Sequence, residues 1–167
     1  MRINSKLITL FNLIVLGLFL APLRYLDLLH ENYSTLTLNT KGYLYVLFLG
    51  ILIGLLNGYE TAHISSKRNG IAVFLILILG VLVPHHVPYD LQGNLHLLFA
   101  YTSAFFFTAL TWFNIQRNPY PKLNGIMMLG ICASVLFYMK ATMVNCISEV
   151  ILMCTLLFIN WYLYIKK

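Results

Sequence analysis

Seven ionisable side chains in this sequence could do chemistry: Arg24, His85, His86, Asp90, His96, Lys140 and Glu149. The run His85-His86-x3-Asp90-x5-His96 gathers imidazoles and a carboxylate, which are ligand types for zinc or a similar ion. Adjacent histidines on a regular helix point about 100° apart, so His85 and His86 share an ion only if Pro84 and Pro88 make the segment irregular. Otherwise these histidines line a polar vestibule at a membrane surface. Glu149 sits in an apolar run, where a carboxylate needs a partner or a water-filled cavity. Arg24 and Lys140 are the cations that could serve it, and a histidine is the substitute. The alternative role is a structural hydrogen bond or ion pair that fixes helix packing.

No nucleophile elbow, HExxH, phosphate loop or paired aspartates on one helix accompanies these residues. Ser148 beside Glu149 makes no dyad that spacing guarantees. No catalytic residue and no cofactor is therefore expected, and a metal ion only if His85, His86, Asp90 and His96 converge.

The elements that position these groups must be membrane helices. Of 167 residues, 60% are hydrophobic and only 10% charged, with mean hydropathy +0.81. Globular chains carry about a quarter charged residues. The expected fold is all-α: a polytopic membrane bundle in one domain, with spans at roughly 7–23, 43–59, 71–88, 95–115, 123–139 and 146–165. The strictly apolar part of the third ends at Val83. The first run ends Leu-Ala-Pro-Leu-Arg, which lacks a small-x-small cleavage site, so it is expected to be a span and not a signal peptide.

With six spans, Arg2, Lys6, Lys67, Arg68, Arg117, Lys122, Lys166 and Lys167 fall on one side and Arg24, Lys41 and Lys140 on the other. Eight against three places both termini in the cytoplasm, with Trp112 and Trp161 near the inner interface. The formal charge of +6 is scattered between apolar runs, which argues for topology and against a nucleic-acid partner. Abundant Ile, Leu, Asn and Lys with tight loops suit a bacterial plasma membrane.

In this topology Asp27, His30, Glu31, His85, His86, Asp90, His96 and Glu149 lie toward the outer side, and Glu60 and His63 toward the inner. Helical rise puts His85 about 21 Å along a span that starts at Ile71, and Glu149 about 18 Å from Trp161. Both should lie below the outer boundary of a core about 30 Å thick.

Gly50, Gly54 and Gly58 form a GxxxGxxxG stripe, a sign of close helix packing within the bundle or between subunits. His96, Ala100, Ser103 and Phe107 share one face of the fourth span, for which packing is the expected role. Cys132, Cys146 and Cys154 form no CxxC pair and are expected in the core. Asn32-Tyr33-Ser34 is a glycosylation sequon, meaningful only in a eukaryotic source.

Six spans, a longer first outer loop and the run Asn94-Leu95-His96-Leu97-Leu98-Phe99-Ala100 resemble the DRAM-type family of small six-helix membrane proteins. The resemblance covers mainly residues 83–107, carries over only His96 and Ala100, and implies links to lipid and membrane trafficking. Three functions stand open. The first is a small or lipidic ligand bound in an outward-facing polar vestibule by Glu149, His85, His86 and His96, with Asp90, Arg24 and Lys140 nearby. The second is an accessory or scaffold subunit meeting a membrane-protein partner, or a second copy, through the glycine stripe. The third is a metal-dependent intramembrane enzyme.

Overall fold

The computed structural model describes residues 3–85, 91–118, 120–141 and 145–167, and regular structure among them is helical. The helices are α1 (Ser5–Leu20), α2 (Thr40–Ile64), α3 (Lys67–Leu82), α4 (Leu91–Gln116), α5 (Lys122–Ala141) and α6 (Cys146–Lys166). Short 3-10 turns, Ala21–Tyr25 and Tyr33–Leu38, lie between α1 and α2. Arg2, His86 and Asp90 lie outside the described residues.

Polar side chains start the helices by accepting from otherwise unpaired first-turn amides. Asn4 accepts from Lys6 N–H, Asn39 from Gly42 N–H and Ser66 from Asn69 N–H. Asn145 and Ser148 cap α6 reciprocally. The third helix is Lys67–Leu82 and not the expected 71–88. Pro84 clashes with a helical preceding residue, and Val83 accordingly takes φ −102° and ψ 122°. The second helix runs well past the expected 43–59, and Glu60 and Thr61 continue it as buried residues.

Among the described residues five stretches are long and apolar enough to cross a membrane: Ser5–Tyr25, Thr40–Ile64, Leu91–Gln116, Lys122–Lys140 and Cys146–Lys166. Their outward faces carry large apolar residues such as Leu13, Phe105, Leu129 and Leu136, as a lipid-solvated protein requires. Cys146 is buried, Cys154 half-buried and Cys132 exposed. The expectation that all three lie in the core thus fails for Cys132, since lipid accepts an apolar side chain as readily as a core does.

The chain forms two compact units, residues 1–33 with 111–167, and residues 34–110. In the second unit the glycine stripe of α2 lies against α3. A methyl on Gly50 would stand 2.5 Å from Val81 Cγ2, and one on Gly54 3.2 Å from Phe74 Cδ2. Gly58 faces Gly70, where a methyl would run into the Gly58 carbonyl oxygen. Tyr43 hydroxyl donates to Leu82 carbonyl at 2.8 Å, so the contact continues to the far end of the hairpin. The expected packing face of α4 is also used: Ser103 hydroxyl donates to Ile76 carbonyl at 2.5 Å, and Phe107 is fully buried.

In the first unit α6 is the hub. Ser134 hydroxyl donates to Ser148 carbonyl at 2.8 Å and Asn145 Nδ2 to Phe137 carbonyl at 2.9 Å, which join α5 to α6. Trp161 Nε1 donates to Thr9 Oγ1 at 3.0 Å and Tyr164 hydroxyl to Ile3 carbonyl at 2.8 Å, which join α1 to α6.

Candidate functional site

The first α6 turn takes its partners from the loop after α1. Cys146 N–H donates to Glu31 carbonyl at 2.7 Å and Ile147 N–H to Leu28 carbonyl at 3.4 Å, while Glu149 Oε2 accepts Tyr33 N–H at 2.7 Å. Tyr33 stacks on Phe19 with ring centroids 4.6 Å apart, and its hydroxyl donates to the Phe19 carbonyl. The half-buried carboxylate is therefore a clasp between loop and helix. Neither expected cation pairs with it among the described residues: Arg24 lies over the Tyr25 ring at 4.6 Å, and Lys140 is exposed at the end of α5.

The same loop holds an exposed pair that spacing did not single out. Asp27 carboxylate meets His30 Nδ1 at 3.0 Å and accepts Leu29 N–H at 3.1 Å. The hydrogen bond from His30, with that from Leu29, holds the Asp27 carboxyl below its ordinary value.

In the second unit His96 is a bolt. Its Nδ1 lies 2.7 Å from Val83 carbonyl and its Nε2 2.8 Å from Ser34 hydroxyl. A carbonyl only accepts, so Nδ1 carries the proton, and in the neutral ring Ser34 donates to Nε2. His85 is brought beside it, with ring centroids 5.3 Å apart, and its N–H donates to Thr37 Oγ1 at 2.7 Å. Both His96 nitrogens are thus engaged with protein. Among the described residues no group of three histidine, cysteine or acidic side chains is arranged to hold a metal ion.

Several of the most deeply buried polar groups are ones to which the sequence reading gave no site role. In the second unit Asn57, Glu60 and Thr61 of α2 are wholly inaccessible. In the first unit Thr111 and Asn114 of α4 and Asn160 of α6 are nearly so, and Asn160 Nδ2 donates to Thr111 Oγ1 at 3.2 Å. Their signal is helical spacing, 57/60/61 and 111/114, within stretches otherwise apolar enough to hide it.

A groove of about 210 Å³ runs between α1 and α6. Leu13 and Leu16 of α1 face Leu157 and Phe158 of α6 across it, and Thr9 and Trp161 line one end. Asn12 also lines it, yet its Nδ2 donates to Ile8 carbonyl at 3.0 Å, and Thr9 Oγ1 donates to Ser5 carbonyl at 2.8 Å. With these donors turned back on their own helix, the wall offered to an occupant is hydrocarbon. Leu13 and Phe158 are themselves exposed, so the groove opens sideways from the helices.

No family model, curated protein or solved structure matches this chain.

Proposed function

We propose that this chain is a six-span membrane protein with both termini in the cytoplasm, and that it binds a membrane lipid with one acyl chain in the α1/α6 groove. The single observation that carries the lipid reading is the apolar, laterally open groove inside two stretches long enough to cross a bilayer. Acyl chains are the medium at that depth, and a hydrocarbon wall is matched to them. The six-span count is supported by the α2/α3 hairpin, which stays in contact from Gly58 and Gly70 to Tyr43 and Leu82. Although α3 has 16 residues and rises only about 24 Å, it follows a partner that is long enough to cross.

The outward polar vestibule draws less support, because Glu149 Oε2 and both nitrogens of His96 are spent on neighbouring groups. The scaffold reading loses the surface it relied on, since α3 covers the glycine stripe.

Native mass spectrometry of the protein extracted in mild detergent tests the lipid reading. The expected result is a retained phospholipid that is lost when the groove is filled by Leu16→Trp or, independently, by Cys154→Phe, with folding checked by circular dichroism. A wild-type protein free of lipid, or folded variants that keep it, would overturn the proposal.

A further inference from the structure

One end of the groove is basic. Lys6, the second residue of α1, stands three residues before Thr9, and Lys166 lies beyond Trp161 on α6 with its Nζ 5.9 Å from the centroid of the Tyr162 ring; both are exposed. The Tyr164–Ile3 and Trp161–Thr9 hydrogen bonds hold these two helix ends side by side. Tyr120 hydroxyl donates to Lys166 carbonyl at 3.3 Å, so Lys122 at the start of α5 belongs to the same end. The side-chain carboxylates of this unit, Asp27, Glu31 and Glu149, all lie at the opposite end, where α6 begins. Length fits as well, because ten residues from Lys6 to Leu16 rise about 15 Å, which is half of a hydrocarbon core about 30 Å thick. A groove of that reach suits a lipid of one leaflet and is too short to seat a partner's whole transmembrane helix.

The geometry points to an anionic phospholipid as the occupant, its phosphate at the ammonium groups of Lys6 and Lys166 and one chain running past Thr9 to Leu16. This rests on the lipid reading above and adds headgroup selection to it. Lysine holds phosphate as a compact charge and needs no fixed geometry, so selection should follow headgroup charge rather than headgroup shape.

The full chain is exchanged into vesicles of equal phosphatidylglycerol and phosphatidylcholine, re-extracted, and its retained lipid identified by native mass spectrometry. Phosphatidylglycerol should be enriched about fivefold for each lysine engaged, and the enrichment should shrink as salt screens the charge. Lys6→Gln with Lys166→Gln should bring the ratio near one, and Lys6→Arg with Lys166→Arg should keep the enrichment. Equal retention of both lipids by the wild-type protein would overturn the inference and leave the groove reading standing. Absence of any retained lipid would overturn both.

Discussion

Glu149 shows how little a residue type alone says about its task. A carboxylate in an apolar stretch invites a search for a cation, yet here its partner is the Tyr33 amide, a group with no signature in the sequence. A backbone N–H left without an acceptor costs about 1–3 kcal/mol when buried. Glu149→Ala should therefore destabilise the protein by about 1–2 kcal/mol at this half-buried site, and Glu149→Gln, which keeps an acceptor, by less. Thermal unfolding in detergent compares the two, and equal losses would mean that the charge and not the acceptor matters. Asp27 permits a pH prediction with a definite sign. Its folded-state value is depressed by His30 and Leu29, so the unfolded chain takes up the proton first on acidification. The contribution is present above the ordinary aspartate value, so complete above about pH 5, and is lost as pH falls through the depressed one. The Leu29 amide, which the Asp27 carboxylate accepts from, should shift its resonance through that acidic window.

At the scale of the helices, close approach decides which glycines matter. Gly70 meets the Gly58 carbonyl and Ala62, with no room for a methyl, whereas nothing lies within 4 Å of a methyl placed on Gly17. Gly70→Ala should destabilise by about 1–3 kcal/mol through overpacking, and Gly17→Ala should stabilise by up to about 1 kcal/mol through helix propensity. A melting temperature of Gly70→Ala at or above that of the wild type would contradict the α2/α3 contact. The stripe was legible because small residues four apart share a face. The helices themselves were legible because lipid permits a run of apolar residues no other structure. Helix ends were less so: the third span was expected to reach residue 88, but the restriction that Pro84 places on Val83 ends α3 at Leu82. The burial of Asn57, Glu60 and Thr61 was not legible, since helical spacing groups them on a face without saying what covers it. Nor were the clasps at Glu149 and His96, whose partners include main-chain atoms distant in the sequence.

For the whole molecule the open quantity is parity. If α3 does not cross, Lys67, Arg68 and Lys140 share the side of Arg2 and Lys6, and the other six basic residues face them, so the charge bias that orients membrane proteins vanishes. If α3 crosses, eight basic residues stand against three. The large bias favours crossing, and a helix of about 24 Å can do so if the bilayer thins locally or Val83 to His85 continue the path. The two cases separate cleanly in a variant whose native cysteines are replaced. Single cysteines at Lys67 and Leu91 flank α3, so a membrane-impermeant maleimide applied to intact cells should label Leu91→Cys and reach Lys67→Cys only after lysis. Cysteines at Lys6 and Lys167 should both resist labelling until lysis. Matching accessibility at positions 67 and 91, with position 167 labelled from outside, would reduce the count to five and put the termini on opposite faces.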